Sequence, residues 1–362
     1  MTRLADIFRQ FGSLYIAKYQ DGMLPSHLKT MRDVLLCRTE LLGGRTWFCS
    51  KCNKYHYSYH SCKNRHCPNC QNEKSQAWLE AQQALLLPVE YFMATFTLPE
   101  SLRTIARSKQ KQIYHLFFTE SAQALLKLAK DPKYLGANIG IIGVLQTWTR
   151  MLTYHPHIHY LIPGGGISDD GTQWIKAKDN FLMRVEPLSI IFKGKFRDAV
   201  KKAGLYDQIP EKVWQQEWVV HIESVGSGEA TLKYLAPYVS RVAISNLNIV
   251  SCIGGKVTFR YKEQKSGSYK TMKIDVLEFI RRFLQHTLPK GFQKIRMYGF
   301  LSSRKKDLLG KIKSILKITL DTSLNDPDKK NVFKCPVCGT NMILAEQTPR
   351  LRGPPLDVLL FK

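Results

Sequence analysis

Two Cys-x-x-Cys turns, Cys49/Cys52 and Cys67/Cys70, stand fourteen residues apart and constrain the fold more than any other feature of the chain. Each turn offers two thiolates from one knuckle, and a pair of knuckles closes the tetrahedral shell that zinc requires. The spacing is close to that of a four-cysteine zinc ribbon, so Cys49, Cys52, Cys67 and Cys70 are the expected ligands of a structural zinc. Four protein ligands leave no open position, and any chemistry has to sit elsewhere. Cys62 and His66 lie between the knuckles, with His56 and His60 nearby. They either pack, bind a second metal, or replace one of the four ligands. A lone Cys335/Cys338 turn has no local partner pair. It is either a degenerate ribbon or joins Cys62 and His66 around a second zinc.

Nine cysteines would suggest disulfides in a secreted protein, but Met1–Asp6 has neither the apolar core nor the cleavage site of a signal peptide. No apolar run reaches membrane-spanning length, and the expected location is the cytosol. There the partner is indicated by charge. Lys and Arg number 54 against 29 Asp and Glu, a net charge of +25. Such an excess points to a polyanion, in practice nucleic acid. The basic residues are spread along the chain, with a dense stretch at Lys290, Lys294, Arg296, Arg304, Lys305, Lys306, Lys311 and Lys313. That distribution suits a long groove better than a tail.

Hydrophobic periodicity predicts two helices in the first forty residues, then the cysteine-rich segment 47–71, then a helix over 72–87 ended by Pro88. Beyond it the pattern becomes α+β. Strands are expected over 89–97, 138–148, 155–163 and 218–223, with Gly164-Gly165-Gly166 as a sharp turn after the third. Helices are expected over 101–129, 187–203, 229–241 and 275–287, with a hairpin over 257–274 turning at Ser266-Gly267-Ser268.

Two motifs carry chemistry. In a strand, His157 and His159 project from one face while Ile158 enters the core. Paired imidazoles make half of a divalent-cation site with positions left for phosphate oxygens. Tyr234 and Tyr238, four apart, share a face if their segment is helical. A phenol is a poor nucleophile at neutral pH but attacks a phosphodiester polarised by a metal. Taken singly, each motif also reads as ordinary packing or a solvated strand face.

Their order is more specific. Phe92-Met93-Ala94-Thr95-Phe96-Thr97-Leu98-Pro99, then His155-Pro156-His157-Ile158-His159 with the glycine triplet, then Tyr234-x-x-x-Tyr238, resembles the motif series of HUH endonucleases. The likeness is greatest to two-tyrosine rolling-circle transposases, the family named for insertion sequence ninety-one. The segment Ser61–Gln71 is similar to that family's N-terminal zinc domain, and the stretch Leu288–Phe300 to its C-terminal side. The resemblance implies that His157 and His159 bind Mg²⁺ or Mn²⁺ and that Tyr234 and Tyr238 are nucleophiles forming 5′-phosphotyrosine links. It also implies a third polar ligand, for which Gln146 is the first choice, with His155 and His221 behind it. Lys233, Arg241, Lys290, Lys294 and Arg296 are the expected DNA contacts. Pro237 departs from the family pattern, since a basic residue is expected there and proline removes a helical hydrogen bond. If the helix starts at Pro237, the two hydroxyls need not share a face, and Tyr238 alone acts.

The expected domains are a helical and zinc-binding DNA-recognition domain over 1–87, an HUH nuclease domain with a central antiparallel sheet flanked by helices over 88–300, and a basic region over 301–362. The expected partner is single-stranded DNA at element ends and targets. Two readings compete with transposition. One is a replication initiator of the same chemistry, and the other is a zinc-ribbon nucleic-acid-binding protein without catalysis.

Overall fold

Hydrophobic alternation in the middle of the chain builds one five-stranded antiparallel sheet. Its strands are β1 (Glu90–Thr97), β2 (Gly140–Trp148), β3 (Tyr154–Pro163), β4 (Val220–Ser227) and β5 (Ile295–Gly299), in the spatial order β5-β2-β3-β1-β4. The structure, a computed structural model, describes residues 2–70, 85–227, 242–263, 266–318 and 333–360. The helices expected over 72–87 and 229–241 fall essentially outside those residues, as do Tyr234, Tyr238, Lys233 and Arg241.

Strand β2 is buried at every position, as suits a strand covered on both faces. Strand β3 behaves differently along its length. From Tyr154 to His159 it alternates buried with half-buried, and from Tyr160 to Pro163 it is wholly buried. The two helices α1 (Gln110–Ala129) and α2 (Val185–Lys202) account for one face. Their Phe117, Phe118, Phe192 and Phe196 pack with Phe96, Ile158 and Tyr160 of the sheet in the main core. Tyr160, fully buried, satisfies its hydroxyl by donating to the Phe118 carbonyl at 3.0 Å and pairing with Ser121 Oγ at 2.7 Å. Its ring lies where a side chain at residue 143 would be, since a Cβ there would meet Tyr160 Cε1 at 2.5 Å. Gly143 is therefore required by close approach. On the opposite face a second cluster, with Tyr91, Met93, Ile142, Val144 and Leu161, is covered by Leu309 and Ile312 of the helix Lys306–Ile315.

Two local expectations change. The helix expected over 101–129 is divided at Lys109, which leaves helical geometry (φ −117°, ψ 40°) between Arg103–Ser108 and Gln110–Ala129. The glycine triplet is not a sharp turn. After a bend at Gly164 the chain continues as the strand Gly165–Ile167, paired with Trp174–Lys176. Added Cβ atoms would meet Glu90 O at 2.8 Å from Gly164, the Trp174 ring at 2.6 Å from Gly165 and Asn138 O at 2.7 Å from Gly166. None of the three has positive φ, so crowding and not turn geometry demands glycine here.

Contacts divide the chain into two units that interleave along the sequence. One comprises Met1–Lys74, Val242–Thr287 and Thr319–Lys362, and the other Ser75–Arg241 and Leu288–Ile318, which holds the five-stranded sheet. The sequence had suggested three consecutive blocks. In the first unit the helix Val276–Leu284 is capped by Asp275, which accepts from the Leu277 and Glu278 backbone N–H groups at 2.9 and 3.4 Å. Its Phe283 ring meets Phe8 of the helix Leu4–Tyr19 at 5.8 Å, which draws residues far apart in sequence into one core. The strands Gly44–Cys49, Lys54–Tyr59 and Ile343–Thr348 form a separate three-stranded sheet in this unit. Among the described residues no helix is long and apolar enough to cross a membrane.

Candidate functional site

Antiparallel register decides which side chains meet, because residues directly opposite share a face. His157 on β3 pairs with Gln146 on β2 and with Thr97 on β1, and His159 pairs with Thr95. Thr95 in turn pairs with His221 on β4. One face therefore carries His157, His159, Gln146, Thr95, Thr97 and His221, and it is the face away from α1 and α2. The half-buried positions of β3 are His155, His157 and His159, while Ile158 between them is fully buried in the core.

The two central rings are held in place. Their centroids are 4.8 Å apart at 88°. His157 Nδ1 lies 2.7 Å from the His155 carbonyl, which can only accept, so Nδ1 carries the proton and Nε2 keeps the lone pair. His159 Nδ1 bonds Thr95 Oγ1 at 2.9 Å, which orients that ring in the same manner. Burial pushes the His157 imidazole down to about 4, with the neighbouring His155 adding to the depression and its carbonyl bond opposing it. His159 is pushed down to about 3 by burial and by His157. Both are neutral at physiological pH, as metal ligands must be.

The other candidates stand differently. His155 Nδ1 accepts from the Arg103 guanidinium at 3.0 Å, so its ring is engaged and its carbonyl serves His157. His221 is 64% exposed and sits 3.6 Å from Glu223, at the sheet's edge strand. Gln146 is 4% exposed and directly opposite His157. Two neutral imidazoles and a carboxamide side chain on one face of the sheet are a donor set that suits a hard or borderline divalent cation. Among the described residues no third His, Cys, Asp or Glu completes a cluster with them. Thr95 and Thr97 were missed by the sequence reading. Their signal was there, two hydroxyls two residues apart in an otherwise apolar strand.

Among the described residues, three of the expected DNA contacts can be located. Arg296 on β5 pairs with Gly143 and so points to the helical side, its guanidinium 4.6 Å from the Phe118 ring and 5.2 Å from Phe292. Lys294 Nζ lies 5.1 Å from the Trp148 ring, and Lys290 is exposed.

The cysteines are regrouped. Cys49 and Cys52 are not brought together with Cys67 and Cys70. Instead Cys37, Cys62, Cys67 and Cys70 form one set, all buried, with their sulfurs within 4.8 Å of one another. Cys70 Sγ is 3.4 Å from both Cys37 and Cys62. Thiol bonds from Cys37, Cys62 and Cys67 hold Cys70 far below the usual thiol range, while Cys37 drives Cys62 and Cys67 far above it. Crowding permits few thiolates without a cation and favours four with one, the chemistry of a structural zinc site. Cys62 thus takes a ligand position in the geometry, and Cys37, with no Cys-x-x-Cys partner of its own, supplies the fourth sulfur. His66 is in neither cysteine set; its backbone N–H donates to Asn64 Oδ1 at 2.9 Å.

Known proteins match across these regions. Residues 140–307 fit a family model described as "Putative transposase", and residues 7–98 one described as "Transposase zinc-binding domain". A protein of Sinorhizobium fredii (strain NBRC 101917 / NGR234) with the first of those descriptions, y4qJ, is 36% identical, the match covering 97% of each chain. The transposase for insertion sequence element IS801 of Pseudomonas savastanoi pv. phaseolicola is 25% identical over 90% of this chain and 84% of its own. No solved structure matches the chain.

Proposed function

Because the chain belongs to the IS91 family of transposases and carries that family's N-terminal zinc-binding domain, we propose that it nicks and rejoins single-stranded DNA in rolling-circle transposition, through 5′-phosphotyrosine links. One observation carries the reading. His157, His159 and Gln146 share one face of a central antiparallel sheet, with the Nδ1 atoms of both imidazoles engaged behind them. A five-stranded sheet with the histidine strand at its centre and helices on the far side supports an HUH endonuclease fold.

On this reading His157 and His159 through nitrogen, and Gln146 through its amide oxygen, hold Mg²⁺ or Mn²⁺. Bound there, the cation supplies Lewis-acid polarisation of the scissile phosphate. The His155 carbonyl keeps His157 in orientation and tautomer, and Thr95 holds the orientation of His159. Tyr234 or Tyr238 attacks phosphorus. An oxygen–phosphorus bond forms to the phenol, the bond to the 3′ oxygen breaks, and the phenolic proton ends on the released 3′-hydroxyl. A second tyrosine permits a second strand to be cleaved without hydrolysis. The 3′-hydroxyl released by the other cleavage then attacks the link, the bond to the phenol breaks, the phenol takes up that hydroxyl's proton, and the strands are joined in a new pairing. Lys233 and Arg241 flank the tyrosines in sequence and contact phosphate, while Lys290 and Lys294 extend the basic track along the strand. Arg296 is retained as a contact only at the rim of the helical side. The reaction takes place in the cytoplasm, where the element's DNA lies.

The test uses the full chain, Mn²⁺ and a labelled single-stranded oligonucleotide spanning an element end. A covalent, protease-sensitive adduct is expected from the native protein and none from Tyr234→Phe/Tyr238→Phe. No adduct from the native protein with a correct end would favour a protein that binds DNA without cutting it.

A further inference from the structure

The second cysteine group has no part in the chemistry above, and it lies partly outside the matched zinc-binding domain. Cys335 and Cys338 meet Cys49 and Cys52, all four sulfurs within 4.8 Å of one another. Cys49 Sγ is 3.5 Å from Cys338 Sγ, and Cys335 Sγ is 4.0 Å from Cys52 Sγ. A tetrahedral zinc with bonds of about 2.3 Å sets its sulfurs about 3.8 Å apart, whereas a disulfide needs about 2.0 Å. The spacing is that of a metal shell.

The surroundings require one. Gly44–Cys49 pairs with both Lys54–Tyr59 and Ile343–Thr348, so the cysteine turns stand at the same end of a three-stranded ribbon. All six residues of Ile343–Thr348 are exposed. Among the described residues, the buried cluster beneath the knuckles is Cys49, Cys335 and Met342, with Trp47 and Phe333 stacked beside them at 5.1 Å. So small a core gives little hydrophobic stabilisation, and ribbons of this size are held by metal. Farther along, His60 Nε2 meets the Thr348 carbonyl at 3.1 Å, and Arg350 donates to the Cys62 carbonyl at 2.8 Å. The segment is thus tied to the N-terminal residues beyond the strand, while its start has the four thiols.

We propose that Cys49, Cys52, Cys335 and Cys338 bind a second structural zinc, which fastens the C-terminal segment to the N-terminal hairpin as a zinc ribbon assembled from both ends of the chain. It is the more labile of the two metals. Cys52 and Cys338 are only half-buried, whereas all four cysteines of the other set are buried. His56 Nε2, 3.8 Å from Cys335 Sγ, stands behind the shell within hydrogen-bond reach of that sulfur.

Metal analysis and native mass spectrometry of the full-length protein should give two zinc per chain, and Cys335→Ser/Cys338→Ser one. Against a chromogenic chelator the native protein should release one zinc quickly and one slowly, with the fast phase absent from the variant. If that variant does not fold, maleimide footprinting of the native protein serves instead. Cys49, Cys52, Cys335 and Cys338 should become reactive together when the first zinc leaves, with Cys37, Cys62, Cys67 and Cys70 still protected. A single zinc in the native protein, two zinc in the variant, or a Cys49–Cys338 disulfide in the unreduced peptide map would overturn the assignment.

Discussion

The histidine strand and the cysteine groups gather ligands by opposite uses of the chain. Gln146 and His157 face each other across adjacent strands, eleven residues apart, and their meeting follows from antiparallel register. Cys49 meets Cys338 from 289 positions away, and Cys37 meets Cys70 from 33. No local period relates those residues. In the sheet, alternation fixes which side chains share a face. Among the cysteines, each Cys-x-x-Cys turn stays whole, and the fold chooses which distant sulfurs close the shell with it. A site built on register is legible in advance; one built on chain closure is not.

The contrast can be broken by removing ligands from each side. Cys67→Ser should have the largest effect. It deprives a buried set of one sulfur and leaves three without their cation, so zinc content should fall and the first unit should lose cooperative melting, since binding energy at such sites is folding energy. A variant that keeps its zinc and its melting transition would show that the cluster is not a metal shell.

Removing an imidazole should act on chemistry and spare the fold. His159→Ala should lower Mn²⁺-dependent nicking by more than about 100-fold, with a far smaller effect on melting, because the ring is half-buried and lies outside the main core. Equal loss of stability and nicking would mean that the histidine is a packing residue. Thr95→Val, which removes only the hydroxyl behind His159, should weaken the Mn²⁺ dependence by about 10–100-fold, read as a shift in the metal concentration giving half-maximal nicking. No shift would remove Thr95 from the site.

Acid should reveal the buried imidazoles. Their folded values, about 4 and 3, lie below the ordinary 6.5, so the unfolded chain binds more protons in between. Stability therefore rises with pH through that window and is lost as pH falls from about 6.5 toward about 4. Denaturation midpoints at pH 7 and pH 5 in buffer without added divalent metal should differ more for the native protein than for His157→Gln/His159→Gln. The comparison matters because zinc thiolates also protonate in acid. Equal slopes would place both rings in solvent. The smallest effect belongs to the face away from the site. Gly143→Ala should cost about 1–3 kcal/mol of stability through the collision with Tyr160, read by chemical denaturation. A neutral result would show that the Tyr160 ring has room to move.

Much of the second unit could be read from its residues. The strands around 90–97, 140–148 and 154–163 follow from alternation, as does the exposure of one face of the histidine strand. In the first unit, the hairpin at Ser266–Ser268 follows from turn chemistry. Arg296 shows the limit of that reading. Its charge suggested DNA, while pairing with Gly143 turned it toward Phe118, because facing is decided by register with a residue 153 positions earlier. The glycine triplet suggested a turn, and contacts with Glu90, Asn138 and Trp174, all outside its neighbourhood, made it a crowded strand.

From residue order alone came the chemistry: thiols in metal-binding pairs, imidazoles alternating along a strand, phenols four apart, and a basic charge suited to DNA. These are local properties, set by side-chain identity and by the two-residue and four-residue periods of the backbone. Which thiols close a shell, which face an arginine takes, and which distant segment completes the N-terminal unit were decided only in three dimensions. Those outcomes depend on burial and pairing between residues far apart, and the free energy that selects among them is shared by the whole folded chain.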